Sequence, residues 1–168
     1  MSKSARDDLL ENLKKLSNVA PIKSKDLKIA EGDDPSISII FDEKDKIFLG
    51  SKKKNKDEKG SEMVYFPLLK DEWILPSRPT VTVDSGAVKF VVNGANIMRP
   101  GITKFEGEFH PGDIVVVREE KYGKAIAVGE VTISRLEMEQ TKKGAIVNNL
   151  HYAGDKFWEM LKGIPLDH

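Results

Sequence analysis

The chain has 168 residues, 39% of them hydrophobic and 32% charged, with 27 basic side chains balanced by 27 acidic ones and no cysteine. That length suits one domain or two small ones, and a neutral balance argues against a uniformly basic coat for nucleic acid while allowing a local basic groove. Disulfides, thiolate catalysis and cysteine-bound zinc are excluded, and His110, His151 and His168 lie too far apart in sequence to suggest a metal site, so no metal and no cofactor is expected.

Residues 4–16 predict an amphipathic helix, because Leu9, Leu10, Leu13 and Leu16 recur at helical spacing with charged residues between them. Ser4 and Asp7 stand at capping-box spacing. The charged start lacks the apolar centre of a signal peptide, and no run approaches the ~18 apolar residues of a membrane span. A cytoplasmic location is therefore expected.

From Lys25 the period shortens. Residues 36–41 are rich in β-branched and aromatic side chains, residues 42–45 are polar, and residues 46–49 are apolar again, which predicts a hairpin. Residues 51–60 hold five lysines and two acids. Two readings fit them: a solvated loop, or a contact to a phosphate backbone. Residues 63–66 predict a strand ended by Pro67. A short helix is expected over residues 68–73, followed by Pro76 and Pro79, and a domain boundary near Arg78. The predicted domains are 1–78 and 79–168. Charge does not separate them, with 16 basic and 15 acidic residues through Arg78 and 11 and 12 beyond it.

Residues 83–101, VDSGAVKFVVNGANIMRPG, combine a helix start at Asp84, a short apolar helix, an Asn93-Gly94 turn and a second punctuation at Pro100-Gly101. An aspartate accepts hydrogen bonds from the free N–H groups of a first helical turn. Asn-Gly tolerates the positive φ of a helix reversing into a strand. Small residues beside Gly94 admit a partner close to the backbone, and Arg99 offers a charge for a phosphate. A purely structural turn fits the same spacing.

Residues 110–113 predict a turn into the apolar strand 114–117. Residues 119–124 predict a further turn, and 125–133 a partner strand with a bulge at Gly129. Ser134 and Glu137 form a capping box for a helix ending at Gly144, residues 145–152 a strand, and residues 155–161 a closing helix with Phe157, Met160 and Leu161 inward. The fold class expected is α+β, with a barrel-like second half.

Several of these motifs, in order, resemble the PUA domain, the RNA-binding pseudo-β-barrel found with pseudouridine synthases and archaeosine transglycosylases. The matching runs are residues 83–90, 94–101, 111–117 and 127–129, within roughly 79–155. WILP, GAVKFVVNGANIMRPGIT and LHYAGDKFW are further similar to the malignant T-cell-amplified-sequence family, its archaeal relatives and the N-terminal part of ligatin. Those proteins join a small α+β pre-PUA domain to a C-terminal PUA domain with short helices.

The resemblance implies a non-catalytic RNA-binding protein acting in translation initiation or ribosome recycling. Its implied partners are tRNA, through the acceptor or CCA end, or ribosomal RNA, together with the small ribosomal subunit and a SUI-domain protein. A monomer is the default. The implied RNA-binding residues are Lys89 and Arg99 as phosphate contacts and Gly94 and Ala95 as points of close backbone approach. Asn93, Asn96, Met98, Pro100 and Gly101 complete the loop and strand, and Tyr152 is an aromatic candidate whose simpler reading is packing under the closing helix. Arg99 departs from the smaller residue common there in relatives, and Glu106 and Glu108 would repel RNA if they faced the groove. Two alternatives remain: an accessory to RNA modification, and a ribosome-associated module that binds protein. The first half offers no cysteine, no histidine and no phosphate-cradling glycine motif, so catalysis is not expected. Asp42, Glu43 and Asp45 are read as a solvated turn.

Overall fold

A computed structural model describes residues 3–16, 27–54 and 62–164. The chain forms two compact units, one comprising residues up to Ser77 together with those from Glu159 onward, the other Arg78–Trp158. Both mix α and β structure. Among the described residues no helix is long and apolar enough to cross a membrane.

The first unit begins with helix α1, Lys3–Leu16. It already includes Lys3, so Ser4 lies inside the first turn instead of capping it. Leu9, Leu13 and Leu16 are buried and Leu10 only half so. Each buried leucine contributes on the order of 2 kcal/mol. Strands β1 (Lys28–Glu31), β2 (Ile37–Asp42), β3 (Ile47–Lys53) and β4 (Met63–Pro67) form an antiparallel sheet in the order β1-β2-β3-β4. The expected hairpin is β2–β3, with Ile40 opposite Leu49. Lys52 and Lys53 belong to β3, so the lysine-rich segment begins inside a strand; residues 55–60 lie outside the described residues.

Two acidic residues here are structural. Asp42 is buried, and its Oδ1 accepts the N–H of Lys44 at 2.9 Å, closing the β2–β3 turn. It is therefore not the solvated carboxylate expected. The helix expected over residues 68–73 is absent as well. Asp71 instead accepts N–H bonds from Phe48 on Oδ1 (2.8 Å) and from Trp73, Ile74 and Leu75 on Oδ2 (3.2, 2.6 and 2.8 Å). One buried carboxylate thus organises an irregular turn, which leads to a single 3₁₀ turn at Leu75–Ser77. A short polar side chain that bonds nearby N–H groups competes with helix formation in this way.

The second unit carries a six-stranded sheet in the order β6-β10-β9-β8-β5-β7. Its strands are β5 (Thr80–Val83), β6 (Ile97–Met98), β7 (Ile102–Glu106), β8 (Ile114–Glu119), β9 (Ala125–Val131) and β10 (Ala145–Tyr152). The β5–β8 pair is parallel and the other pairs are antiparallel. Ile114, Val115, Val116 and Val117 are all buried, as a continuous apolar run requires when both faces of a strand are covered. Val81, Val117, Ala127, Val147 and Met138 meet in the core that the curled sheet encloses.

Helices α2 (Ser85–Val91), α3 (Arg135–Gln140) and α4 (Lys156–Lys162), with a 3₁₀ turn at Arg99–Gly101, complete the described elements. Ser134 caps α3 by accepting the Glu137 N–H, as its spacing predicts. The helix ends at Gln140, earlier than the expected Gly144, because Thr141 adopts an extended backbone. The irregularity expected at Gly129 falls on its partner strand. Asn149 pairs with Gly129 and His151 with Val128, so Leu150 is the extra residue, on β10. In α4, Phe157 and Leu161 are buried and Met160 is half-buried.

Candidate nucleic-acid interface

Residues 83–101 build one side of an open groove. Asp84 Oδ1 accepts the Ala87 N–H at 2.9 Å, and the Asp84 N–H donates to the Gly101 carbonyl at 2.8 Å. A single residue therefore starts α2 and ties it to the 3₁₀ turn Arg99–Gly101. At the other end, the N–H groups of Gly94 and Ala95 donate to the carbonyls of Val91 and Phe90, both at 3.0 Å, which closes the helix and reverses the chain. Gly94 has φ +93°, as an Asn-Gly stop predicts.

The groove, of about 460 Å³, runs between α2 and the short strand β6. Gly86, Ala87 and Phe90 line it from the helix; Ala95 and Asn96 line it from the loop. Ile97 and Met98 of β6, with Gly101 and Ala145, complete the lining. The Gly101 Cα approaches Ala87 so closely that a Cβ would lie 3.1 Å from the alanine Cβ. Phe90 and Met98, large apolar side chains, stay 58% and 50% exposed at this groove. Both apolar side chains are therefore accessible to a ligand at this groove.

Three exposed lysines lie close in sequence to the lining residues. Lys89 is exposed beside Phe90, its Nζ 5.1 Å from the ring centroid. Lys142 and Lys143 are exposed in the turn that enters β10 at Ala145, and the Arg99 N–H anchors that turn by donating to the Gly144 carbonyl at 2.8 Å. Glu106 and Glu108 pair with Lys104 (2.6 Å) and Arg135 (3.8 Å), and neither lines the groove. The Lys104 ammonium holds the Glu106 carboxyl below the usual carboxylate range.

Of the expected site residues, Ala95, Asn96, Met98 and Gly101 line the groove and Lys89 borders it. Pro100 is exposed in the 3₁₀ turn. Asn93 turns back, its Nδ2 donating to the Lys89 carbonyl at 2.7 Å. Tyr152 packs against Gly94 and the core. Arg99 also points inward. Its Nε donates to the Met138 carbonyl at 2.9 Å and its Nη1 to the Ile102 carbonyl at 3.1 Å, with the guanidinium 5.6 Å from the Phe105 ring centroid. Arg135 meets the same ring at 5.5 Å. This cross-link orients the turn and leaves fewer guanidinium N–H groups for a ligand.

Sequence reasoning missed Gly86, Ala87, Phe90 and Ala145 as lining residues. One signal was present: Phe90 falls out of phase with Val88, Val91 and Val92, which face the core. Asn149 was missed too. Its Nδ2 donates to the carbonyls of Val91 and Ala95, both at 3.0 Å, and its N–H donates to Asn96 Oδ1 at 3.0 Å, clamping the loop from 53 residues away. No local pattern announces so distant a bond. His151 is fully buried, Nδ1 2.9 Å from Asp155 Oδ2 and edge-on to Phe157, a core arrangement. Among the described residues no group of three or more histidines and acids is placed to hold a metal.

The PUA domain family model matches residues 79–153. Translation machinery-associated protein 20 of Saccharomyces cerevisiae is 41% identical over 86 residues, 48% of this chain and 48% of that protein. Human malignant T-cell-amplified sequence 2 is 40% identical over 96 residues, 55% of this chain and 51% of that protein. The chain thus spans about half the length of the curated relatives it matches. A crystal structure of a hypothetical protein from Pyrococcus horikoshii, 29% identical, superimposes with a TM-score of 0.68 over 95% of this chain and 96% of its own. Over residues 79–153 the chain is thus similar to the PUA domain, and over about half its length to the malignant T-cell-amplified sequence proteins.

Proposed function

We propose that this protein binds RNA without catalysing a reaction, holding an unpaired RNA end such as the CCA terminus of a tRNA in the groove between α2 and β6. The observation that carries this reading is that Phe90 and Met98, both half-exposed, line one groove floored by small residues, with Lys89 exposed beside Phe90 and Lys142–Lys143 exposed shortly before the lining residue Ala145. Unpaired bases stack on exposed aromatic rings while lysines neutralise phosphates. The volume of the groove falls in the range of about 300–1,000 Å³ typical of small-ligand sites.

The translation context comes from the relatives, one of which is named for the translation machinery. In this reading the protein acts in the cytoplasm as a monomer at the small ribosomal subunit, during initiation or recycling, with a SUI-domain protein as partner. The pre-PUA and PUA parts divide near Arg78. Intact tRNA and tRNA trimmed of its CCA tail are compared for binding to purified protein, alone and with small ribosomal subunits. Intact tRNA binds more tightly; equal affinity for the two sinks the acceptor-end assignment. Phe90→Ala weakens binding of the intact tRNA and leaves the fold unchanged.

A second reading draws on the apolar lining itself: the groove receives a segment of a ribosomal protein. Salt separates the two. RNA binding through several phosphates weakens steeply as salt rises, whereas burial of an apolar segment does not.

A further inference from the structure

The turn joining β8 to β9, residues 119–125, is held rigidly and yet exposes an aromatic ring. Oε1 of Glu119 accepts the N–H groups of Tyr122 and Lys124, both at 2.9 Å, and Oε2 accepts that of Lys121 at 2.8 Å. These bonds hold its carboxyl below the usual range. The Gly123 N–H donates to the Glu119 carbonyl at 3.0 Å, and Arg118 Nη1 donates to the Gly123 carbonyl at 2.9 Å. The second acid, Glu120, also turns back, accepting the Ser85 N–H at 3.1 Å and lying 3.3 Å from the Ser85 hydroxyl, at the start of α2.

Both carboxylates are thus directed at the backbone, and the outer side of the tip is left to Lys121, Tyr122 and Lys124, all exposed. Tyr122 is 80% exposed, and the Lys121 ammonium lies 5.2 Å from its ring centroid. So exposed a ring adds little to folding stability. A preordered loop presenting an aromatic face beside two ammonium groups matches the chemistry of an unpaired nucleotide: a base to stack and a phosphate to neutralise. Through Glu120 the tip is bonded to α2, the helix that lines the groove, so tip and groove wall share one frame.

We infer that the β8–β9 tip is a second RNA contact, stacking an unpaired base on Tyr122 with its phosphate against Lys121 and Lys124. The ligand class rests on the RNA reading of the groove, and the tip holds a further stretch of the same strand outside it. The test uses the full chain and an RNA hairpin with an unpaired extension of about eight nucleotides, within the range of single-strand binding sites. 2-Aminopurine is stepped along the extension, and a hairpin with a short extension serves as the reference. Tyr122→Ala lowers affinity for the long extension about tenfold, the scale of removing one base stack. It leaves the short one unchanged and abolishes the fluorescence change at one tail position, while Tyr122→Phe keeps both affinities. Unchanged affinity of Tyr122→Ala for the long extension overturns the inference. So does a loss confined to small ribosomal subunits with naked RNA unaffected, which would assign the tip to a protein. Phe90→Ala, measured in parallel, reports on the groove: if it weakens both hairpins while Tyr122→Ala weakens neither, the tip contact alone fails. If Phe90→Ala changes nothing and Tyr122→Ala weakens the long extension, the tip stands and the groove assignment fails.

Discussion

Tyr152 occupies the space that a side chain on Gly94 would need: a Cβ built on Gly94 comes 3.2 Å from the tyrosine Cε1 and 3.3 Å from its hydroxyl oxygen. The loop after α2 and the last strand of the sheet are therefore in mutual contact, and the backbone at Gly94, with φ +93°, already lies where side chains are disfavoured.

Gly94→Ala adds a left-handed backbone penalty of about 1–2 kcal/mol to a close contact with the Tyr152 ring. Chemical denaturation is expected to show a loss of that order or larger, with RNA affinity falling because the loop reorients. A variant as stable as the wild type would mean that the loop moves freely against β10.

Lys89 and the Lys142–Lys143 pair test the charge around the groove. Alanine at each of these positions leaves stability within about 0.5 kcal/mol, the usual range for surface substitutions. It weakens RNA binding and lowers the slope of log affinity against log salt by about one for each phosphate that is no longer neutralised. Unchanged slopes in all three variants would remove these lysines from the interface.

Arg99 is expected to behave differently. Removing its side chain leaves the carbonyls of Met138 and Ile102 without these donors and strips one guanidinium from Phe105. Arg99→Ala should cost about 1–3 kcal/mol of stability, and Arg99→Lys should not restore it, since an ammonium cannot reproduce the guanidinium fork. A stable Arg99→Ala protein that merely binds RNA more weakly would return Arg99 to the role of a phosphate contact.

Asp71 links stability to pH. Burial pushes its carboxyl above the ordinary range, against the pull of four backbone N–H donors. A folded-state value above the unfolded one means that the folded protein holds the proton longer. Its contribution is then fully present below the unfolded value and is lost as pH rises through the folded one. The stability advantage of wild type over Asp71→Asn is expected to narrow as pH rises from the ordinary carboxylate range, in denaturation midpoints measured across pH. A widening gap would show that the N–H bonds outweigh burial. Asp71→Ala, which leaves those donors unpaired, should cost about 3 kcal/mol or more.

Local signals were read well where one short-range preference decides the outcome. Asp84 and Ser134 cap helices because their side chains reach N–H groups three residues on. Gly94 reverses the chain because its backbone tolerates positive φ, and Ile114–Val117 are buried because a continuous β-branched run has no polar face to expose. The motif order that these features share was enough to point to a PUA domain.

The direction of each side chain was decided elsewhere. Arg99 and Lys89 are both cations in the stretch 83–101 by sequence, yet Arg99 turns inward because Met138, 39 residues later, and Ile102 present carbonyls to it. Asn149 clamps the loop and Tyr152 fills the space beside Gly94 only once β10 pairs with β6 and β9. The sequence by itself determined the caps at Asp84 and Ser134, the Asn93-Gly94 turn, the buried strands and the resemblance to the PUA domain, since each rests on preferences local in the chain or on motif order. The tertiary structure alone decided which residues form the groove and which support it, because exposure and hydrogen-bond partners depend on residues brought together from distant parts of the chain.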